Sequence, residues 1–540
     1  MSVEYDPVTK IWKGPEVEYA FGNKSVAEVG YAELLKDLNH VCQISDDTGE
    51  VYTNERMLKA SVSFANGLKA AGIKKGDVII VLLHNHHYLL PTWFGAVLAG
   101  VILCPFHYTD TAVKDDLPDI LRKLNPKLMV TSYLDLIDVF NDAFDKVNIK
   151  CPIYVYENEI EGCHDLKPLF HDYFTSFEEF KPATVDDPEH DTFVLILSSA
   201  TTGKAKLIKC THKQLLTQYT YNLRNITFIS TALPGWQSEF IFGIGCLLNN
   251  CLRVTRHNMT IDQFLMILDK YKAFACLVKP KDIFDILKSE TIKKVDLSSL
   301  VIVVSSGHHL SPELNRQFQE YVPNGIILSV YGTSELGGGT TEASQLDPDT
   351  PNLVGRVKQN FQYYVLNEEG ERVGPGEVGE LCYTSTSPFV GYFEDEEASK
   401  KSVTKDGFFY SGDRGYLDVH GNVFLQDRKK YEISYRGKAL NQWDVEKIIL
   451  EKIDKHAIRD VCVVDIESKD HGMMPIIAIV PGDEKEALSE AEIIQVVMKH
   501  HPFEFETKVF FFDKLPMTIS GKHKKYLVRE MVMEKIANGK

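Results

Sequence analysis

A hydroxyl-rich loop follows an apolar run at residues 195–206 of this 540-residue chain. The segment reads Leu-Ile-Leu-Ser-Ser-Ala-Thr-Thr-Gly-Lys-Ala-Lys, which predicts a buried strand that ends in a turn. Its hydroxyls and backbone N–H groups suit an anion, Gly203 permits close approach, and Lys206 supplies positive charge. Ser198 stands where the P-loop of nucleoside triphosphatases requires glycine, which excludes that motif. The segment therefore predicts either a phosphate-binding loop or an ordinary polar turn.

Three further polar segments carry side chains that suit nucleotide chemistry. Residues 330–337, Val-Tyr-Gly-Thr-Ser-Glu-Leu-Gly, place the Glu335 carboxylate beside two hydroxyls, an arrangement that can hold Mg²⁺ against phosphates. Residues 410–416 form a predicted turn whose Asp413 can accept two sugar hydroxyls. Lys522 lies in an Ile-Ser-Gly-Lys-His segment near the end of the chain. Taken singly, each segment is better explained by a simple turn or a solvated lysine.

Alternating strands and helices must position these segments. Strand, helix and strand within about 30 residues is the βαβ unit of a parallel sheet, and open α/β sheets bind ligands beyond the carboxyl ends of their strands. We predict helices at residues 54–72, 93–98, 116–124, 134–147, 213–224 and 261–271, strands at 77–83, 100–104, 127–131, 152–156, 252–255, 274–278, 300–304 and 325–330, and a surface loop at 157–190.

The pattern changes beyond residue 350. Short strands at 363–366, 379–383 and 422–426 predict a small β subdomain, and the charged run Asp427-Arg-Lys-Lys430 interrupts it. Helices at 443–450 and 491–498 with strands at 461–464 and 476–480 predict a compact α+β tail. The predicted fold class is α/β: a large N-terminal domain (1–426) of parallel or mixed sheets flanked by helices plus the β subdomain, a hinge (427–430), and a small mobile α+β C-terminal domain (431–540).

Composition excludes several classes of protein. The formal net charge of −17 argues against a nucleic-acid-binding surface. The ten cysteines include no CxxC pair, so no zinc or redox motif is indicated and a reducing compartment is expected. No signal peptide is predicted, and the uncharged stretch 89–106 is interrupted by prolines, which predicts a buried helix and strand rather than a transmembrane segment.

Together and in this order, the four segments resemble the adenylate-forming superfamily, which includes acyl-CoA synthetases, peptide-synthetase adenylation domains and insect luciferases. Gly391-Tyr-Phe, residues 406–413 (Asp-Gly-Phe-Phe-Tyr-Ser-Gly-Asp) and Asp427-Arg428 are most similar to the insect luciferase-like fatty acyl-CoA synthetases. The resemblance covers nearly the whole chain. It implies that a carboxylate attacks the α-phosphate of ATP with Mg²⁺, giving acyl-AMP and pyrophosphate, and that coenzyme A then displaces AMP.

The resemblance also implies a role for each site residue. Lys522 is implied as the catalytic lysine, Glu335 as the Mg²⁺ ligand, and Lys430 as the hinge about which the tail rotates. Asp413 would hold the ribose hydroxyls with help from Arg428. The remaining nucleotide contacts are a phosphate loop (Ser198, Ser199, Thr201, Thr202, Gly203, Lys206) and an adenine and α-phosphate segment (Gly307, Tyr331, Gly332, Thr333, Ser334).

The chain departs from the family pattern at several positions. Ala200, Ala205 and Leu207 replace Gly, Pro and Gly of the phosphate loop. Trp236 and Gln237, assigned to the acid pocket, stand where a histidine pair is usual, and Ser434 stands where luciferases use a lysine for the second step.

Three functions follow from this sequence. The first is a ligase that joins a medium- or long-chain fatty acid to coenzyme A. The second is a protein that binds ATP or acyl-adenylate with little turnover, and the third is a luciferase-like monooxygenase. The expected partners are the acid, ATP and coenzyme A, with no nucleic acid. Family resemblance suggests a peroxisomal location, although the terminal Ser-Lys-Leu signal is absent and the cytoplasm is the alternative.

Overall fold

The structure is a computed structural model, and several short segments fall outside its description. It describes residues 2–106, 116–156, 160–198, 205–218, 223–307, 310, 312–342, 344–345, 350, 352–428, 432–436, 438–453, 457–468, 472–482, 489–517 and 523–538. Sheets flanked by helices make up the first three quarters of the chain, and a smaller α+β unit follows, which confirms the predicted fold class. The boundaries at residues 426 and 431 stay predictions.

The first sheet is parallel except at one edge, where Leu207–Thr211 runs antiparallel to Thr192–Leu197. Its strands, in spatial order, are Leu207–Thr211, Thr192–Leu197, Ile102–Pro105, Val78–Leu82, Leu128–Thr131, Ile153–Val155 and His164–Asp165. The accompanying helices are Asn54–Ala70, Leu89–Ala99, Leu117–Leu124, Ile137–Val147 and Lys167–His171, with a 3₁₀ turn at Leu134–Leu136.

The second sheet has a parallel interior and antiparallel edges. Its strands, in spatial order, are Ser344–Gln345, Ile326–Val330, Ile302–Ser306, Ala275–Val278, Thr227–Ser230, Leu252–Thr255, Val41–Ser45 and Val51–Thr53. Its helices are Val26–Leu34, His212–Gln218, Gln237–Leu248, Ile261–Lys270, Pro280–Lys288 and Pro312–Gln319, with a 3₁₀ turn at Glu290–Lys293.

The third sheet is antiparallel and forms the β subdomain. Its strands, in spatial order, are Glu4–Asp6, Ile11–Lys13, Phe361–Leu366, Gly379–Ser385, Phe409–Leu417, Asn422–Arg428, Leu353–Val357 and Thr341–Glu342, and Arg372–Val373 pairs with Phe361–Leu366. Helix Glu396–Lys401 follows the Gly379–Ser385 strand in the chain, and a small hairpin pairs Gly332–Thr333 with Gly338–Gly339 around a 3₁₀ turn at Ser334–Leu336.

The C-terminal unit contains a further sheet with its own apolar core. Its strands are Lys438–Asn441, Glu432–Tyr435, Gly472–Pro481, Ile458–Ser468 and Lys508–Phe511. The helices are Gln442–Lys452, Glu490–His500 and Lys525–Ala537. Strands at 461–464 and 476–480 and helices at 443–450 and 491–498 are therefore confirmed, although each is longer than predicted.

Local sequence explains the ends of several helices. Thr260 and Ser25 begin their helices with capping boxes, in which the cap hydroxyl accepts a backbone N–H while a Gln or Glu three residues on returns the contact. Helix Leu89–Ala99 ends at Gly100, whose φ of 71° is a left-handed conformation that glycine adopts at little cost. That helix is buried along nearly its whole length, and the strand Ile102–Pro105 follows it, as predicted for residues 89–106. Within the described parts of the chain, no helix is long and apolar enough to cross a membrane.

Two predictions about local structure are wrong, and a third element is longer than predicted. Residues 157–190 are not simply a surface loop, because helix Lys167–His171 buries Phe170 in a stack on Phe64 with ring centroids 5.3 Å apart. Residues 410–416 are not a turn but lie within strand Phe409–Leu417. The strand predicted at 422–426 is confirmed but continues to Arg428, so the charged run begins inside the sheet.

Candidate active site

The predicted nucleotide residues begin where adjacent strands of the second sheet end. Strands Ile302–Ser306 and Ile326–Val330 are parallel and in register, with Ser306 opposite Val330. Gly307 and Tyr331, the next residues of each strand, therefore lie at the same carboxyl edge. Gly307 has a φ of 94°, and among the residues that the structure describes, its chain neighbours aside, no atom lies within 4 Å of the point where a Cβ would project. The edge thus leaves open space beside Gly307, as a planar ligand requires.

Asp413 reaches this edge from the third sheet. The Tyr331 hydroxyl donates to Asp413 Oδ2 at 2.7 Å, and the Asp413 backbone N–H donates to Ser411 Oγ at 2.9 Å. Asp413 is only 5% exposed and lies opposite Arg428 on the neighbouring strand. Burial, with the Asp413 carboxylate beside it, holds the pKa of Tyr331 well above its usual range. Tyr331 therefore stays protonated and fixes the carboxylate that we predicted for the ribose.

The hairpin after Tyr331 is tight because it is built of glycines. A Cβ on Gly332 would lie 2.0 Å from the carbonyl oxygen of Gly338, so no larger residue fits. Gly337 has a φ of 78°, a left-handed conformation. The close pairing of Gly332–Thr333 with Gly338–Gly339 presents the Thr333, Ser334 and Glu335 side chains from a short, constrained turn.

Both carboxylate oxygens of Glu335 accept hydrogen bonds from hydroxyl groups. Thr333 Oγ1 donates to Oε2, and the Tyr392 hydroxyl donates to Oε1 at 3.0 Å. The Lys206 ammonium lies over the Tyr392 ring, 4.6 Å from its centroid. Sequence reasoning gave Tyr392 no role, although Gly391-Tyr-Phe was one of the segments that carried the resemblance. Through Tyr392, the predicted phosphate-loop lysine and the predicted metal ligand are brought to one place.

The base of the predicted phosphate loop is closed by paired hydrogen bonds. The Ser198 backbone N–H donates to the Lys206 carbonyl at 2.8 Å, and the Lys206 N–H donates to Ser198 Oγ at 2.9 Å. Four predicted loop residues lie outside the described part of the chain, so their placement stays a prediction: Ser199, Thr201, Thr202 and Gly203. One end of the loop, Lys206, lies over the ring of Tyr392, whose hydroxyl contacts Glu335.

The oxygen atoms of Glu335 and its neighbour Thr333 are of the kind that bind Mg²⁺. This ion takes carboxylate and hydroxyl oxygens and keeps several sites for water and substrate phosphates. Glu335 and Thr333 supply such oxygens. Among the residues that the structure describes, no group of three His, Cys, Asp or Glu side chains could hold a metal ion by itself. These residues therefore fit a Mg²⁺ ion that is held by one carboxylate together with the phosphates of a nucleotide.

Two glutamines hold the backbone of residues 334–335. Gln237, at the start of helix Gln237–Leu248, donates from Nε2 to the Ser334 carbonyl at 3.1 Å. Gln214 donates from Nε2 to the Glu335 carbonyl at 3.2 Å and to the Pro388 carbonyl at 2.9 Å. Gln237 thus lies beside the hairpin, and its assignment to the acid pocket stays a prediction. Gln214 was missed because a lone glutamine in a helix gives no signal.

Trp236 immediately precedes this helix, and its ring makes a cation–π contact with a lysine. The Lys279 ammonium lies 4.8 Å from the centroid of its ring. Other predicted site residues are described only in part or not at all. The backbones of Arg428 and Ser434 are in strands but their side chains are outside the description, and Lys430 and Lys522 lie outside the described residues altogether.

Two protein-family models match the chain. The AMP-binding enzyme model matches residues 34–393, and the model of the AMP-binding enzyme C-terminal domain matches residues 444–522. The fold and the site define an adenylate-forming enzyme. The chain belongs to the AMP-binding enzyme family.

Relatives and solved structures extend the comparison over nearly the whole chain. 4-Coumarate–CoA ligase 3 of Arabidopsis thaliana is 26% identical over 505 residues, covering 89% of this chain and 86% of the relative. A probable 4-coumarate–CoA ligase 1 of Dictyostelium discoideum is 25% identical, with 92% and 94% covered. The anthranilate CoA ligase AuaEII, solved with anthranoyl-AMP, has a TM-score of 0.82 at 19% identity and 95% and 98% coverage. The luciferase-like enzyme of the nonluminescent mealworm Zophobas morio has a TM-score of 0.69 at 22% identity, with 77% and 98% covered. At these identities, the likeness to the two solved structures shows the fold.

Proposed function

We propose that this protein is an AMP-forming acid–CoA ligase. In the first step a substrate carboxylate oxygen bonds to the α-phosphorus of ATP, and the bond from that phosphorus to pyrophosphate breaks. In the second step the sulfur of coenzyme A bonds to the acyl carbon, AMP leaves with the carboxylate oxygen, and the thiol proton is released. The named relatives, several of them CoA ligases, support this reaction class.

One observation carries the proposal. A buried carboxylate, Asp413, and a hydroxyl-lined carboxylate, Glu335, lie at the two ends of the short segment that starts at Tyr331. Lys206 adds positive charge at the Glu335 end. A ribose held at Asp413 would therefore direct its phosphates toward Glu335 and Lys206. This matches the polarity of a nucleoside triphosphate better than that of an uncharged ligand.

Each residue has a defined task in this proposal. Tyr331 keeps the Asp413 carboxylate oriented for two ribose hydroxyls, and Gln214 and Gln237 fix the backbone that carries the reacting groups. Glu335 and Thr333 would hold Mg²⁺, which when bound supplies charge to offset the phosphates. Lys522 would approach from the C-terminal unit and offset charge on the transferring oxygens. A lysine on a separate unit can also withdraw before the second step.

The acid is proposed only by class. Sequence resemblance favours a medium- or long-chain fatty acid, and the named relatives favour an aromatic acid such as 4-coumarate. Both have an extended apolar body, and the half-buried side chain of Ile241 offers an apolar surface next to the hairpin. The peroxisomal or cytoplasmic location stays a prediction from the resemblance.

Isotope exchange between pyrophosphate and ATP tests the proposal. We expect acid-dependent exchange with at least one member of a panel of fatty and aromatic acids, followed by thioester formation when coenzyme A is added. Glu335→Gln should lower exchange by roughly 10²-fold, the usual cost of one electrostatic group in an active site. Glu377→Gln is the matched control, because it makes the same change at a turn of the third sheet. The one hydrogen bond described for the Glu377 side chain is from the Gly374 N–H, at 2.9 Å.

The outcomes separate the three candidate functions. ATP binding with no exchange for any acid would contradict the ligase and support the binding protein. Exchange without a thioester product, together with light emission, would support the monooxygenase. Equal loss of exchange in Glu335→Gln and Glu377→Gln would contradict the role of Glu335.

A further inference from the structure

A shielded ion pair in the C-terminal unit involves the residue that follows Lys522, the predicted catalytic lysine. His523 Nε2 lies 3.0 Å from each carboxylate oxygen of Asp460, which belongs to strand Ile458–Ser468. The two side chains are only 17% and 21% exposed. Charge-assisted hydrogen bonds that are shielded from water are stronger than those on an open surface. The pair therefore ties His523 firmly to this strand.

The surroundings of His523 keep its ring charged. Burial alone would favour the neutral ring, but the Cys462 sulfur and the Asp460 carboxylate beside it hold the pKa of His523 well above its usual range. His523 is therefore positively charged at neutral pH and donates to Asp460. A cysteine beside a histidine and a carboxylate can also act as a nucleophile. Cys462 is 0% exposed, however, so its sulfur is out of reach of a substrate, and the cluster serves to hold His523.

The segment that carries the predicted lysine is closed at its base. Met517 and His523 form an antiparallel β-bridge, and the Lys524 backbone N–H donates to the Pro516 carbonyl at 2.9 Å. The residues between Met517 and His523 lie outside the described part of the chain. Lys522 directly precedes His523, and consecutive Cα atoms are about 3.8 Å apart. Whatever fixes the His523 backbone therefore also limits where the Lys522 side chain can start.

The chain after the β-bridge is anchored by separate contacts. The Lys525 ammonium donates to Glu446 Oε1 at 2.9 Å and to the Val463 carbonyl at 3.0 Å. Helix Lys525–Ala537 then packs against the apolar core of the unit. These contacts fix the start of the helix without His523. Loss of the ion pair should therefore loosen the segment before the helix and leave the helix itself in place.

We propose that the His523–Asp460 ion pair positions Lys522 for the adenylation step, which makes His523 a positioning residue rather than a catalytic one. This inference rests on the proposed function and on the task that Lys522 has in it. A misplacement of about 1 Å can cost roughly 10²-fold in rate, because an electrostatic group acts on the transition state only from the correct position. The thioester step does not use Lys522 in the proposed mechanism, so that step should not depend on the ion pair.

Separate measurement of the two half-reactions tests the inference. His523→Gln keeps a hydrogen-bond donor but removes the charge. It should lower kcat for pyrophosphate exchange by roughly tenfold to 10²-fold with little change in the KM for ATP, while thioester formation from supplied acyl-AMP changes less than about twofold. His500→Gln makes the same change at an exposed histidine at the end of helix Glu490–His500 and should alter neither step.

The partner carboxylate provides a second route. Asp460→Asn keeps the volume of the side chain and removes its charge, so it should reproduce the loss seen in His523→Gln. Because both substitutions break the same ion pair, the double variant should lose no more adenylation rate than the more impaired single variant. Thermal unfolding of each variant shows whether it is folded, and Asp460→Asn keeps the test available if His523→Gln does not fold.

Amide hydrogen exchange followed by mass spectrometry reports the anchoring without catalysis. In His523→Gln the amides of residues 516–524 should exchange roughly tenfold faster or more, the usual value of a charged hydrogen bond, whereas those of helix Lys525–Ala537 should not change. Faster hydrogen exchange there, with no pyrophosphate exchange by the wild-type protein for any acid, would support the anchoring and contradict the proposed function. Unchanged hydrogen exchange at residues 516–524, or equal loss in the two half-reactions, would overturn the positioning role alone.

Discussion

Replacing Glu239 by Ala removes half of a buried ion pair on helix Gln237–Leu248. Glu239 Oε1 lies 2.7 Å from Arg253 Nη2, and the two side chains are 1% and 4% exposed, respectively. Arg253 also donates to Gln43 Oε1 at 3.2 Å and to Asn85 Oδ1 at 3.0 Å. The pair ties helix Gln237–Leu248 to the second sheet. The helix therefore depends on this contact for the position from which it reaches the hairpin.

The structure sets the expected magnitude. In Glu239→Ala the Arg253 guanidinium stays buried, and the remaining hydrogen bonds described for it are to the neutral side chains of Gln43 and Asn85. Breaking a buried ion pair in this way costs about 3–5 kcal/mol. The exposed pair of Glu397 and Lys401, whose side chains are 81% and 75% exposed, provides the matched control. Glu397→Ala should cost at most about 0.5 kcal/mol, because an exposed pair on one helix contributes little.

A double variant separates the charge from the packing. Glu239→Leu combined with Arg253→Met removes both charges and keeps apolar volume in place. It leaves Gln43 and Asn85 without one donor each, at about 1–3 kcal/mol per buried acceptor. For the two acceptors together the double variant should lose about 2–6 kcal/mol, a range that overlaps the loss expected for Glu239→Ala, so we expect that removing both charges does not restore wild-type stability.

Thermal unfolding followed by tryptophan fluorescence measures these differences. For large domains 1 kcal/mol corresponds to about 2–4 °C in Tm, so Glu239→Ala should lower the midpoint by roughly 6–20 °C. Pyrophosphate exchange at a temperature below all midpoints should also fall, because the helix that carries Gln237 loses its anchor. If Glu239→Ala shifts Tm no more than Glu397→Ala, the buried pair does not stabilise this helix and the reasoning is refuted.

The remaining predictions concern the nucleotide, the tail and the buried lysine. Asp413→Ala should weaken ATP binding by roughly 1–3 kcal/mol per hydrogen bond lost, and unchanged binding by calorimetry would contradict the ribose assignment. Lys522→Ala should lower adenylation by roughly 10²-fold or more while thioester formation from supplied acyl-AMP changes far less; equal loss in both steps would argue against two conformations. Lys430→Pro should impair the thioester step more than adenylation in single-turnover assays, since proline fixes φ near −65°, and a variant that loses neither step would exclude this residue as the hinge. Burial lowers the pKa of Lys358 from 10.5 to about 8, so between these pH values the unfolded chain binds more protons than the folded one. The stability of the wild-type protein relative to Lys358→Met should therefore rise with pH across that window. A difference in denaturant midpoints that does not change with pH would contradict this prediction.

Most helices and strands near the site follow from local sequence. The apolar spacing in residues 54–72 predicts the helix observed at Asn54–Ala70, and the run at 252–255 is the strand Leu252–Thr255. Such patterns depend on neighbours a few residues away, so the sequence contains them in full. The turn predicted at 410–416 is wrong because its glycines lie within a strand of the third sheet, where Gly415 allows the neighbouring strand to approach closely. The Cβ of a larger residue at Gly415 would lie 2.2 Å from the Phe424 carbonyl oxygen of the adjacent strand.

Contacts between distant segments could not be predicted in this way. Tyr392 reaches Glu335 across 57 residues, and Lys358 reaches Gln218 across 140. Neither residue stands out by type or by spacing, because a tyrosine or lysine near a turn is usually unremarkable in a sequence. Their roles arise only when the second and third sheets bring the hairpin and its flanking helices together.

By itself, the sequence determined the order of strands and helices, the fold class and the polar segments that end the strands, because apolar period, caps and glycine turns act locally. It also identified Tyr331, Glu335 and Asp413 as candidate nucleotide residues. Only the tertiary structure joined Tyr331 to Asp413, placed Tyr392 between Lys206 and Glu335, and buried Lys358 beside Gln218. The physical reason is that burial and long-range pairing are properties of packed sheets and helices, which no single segment of the chain contains.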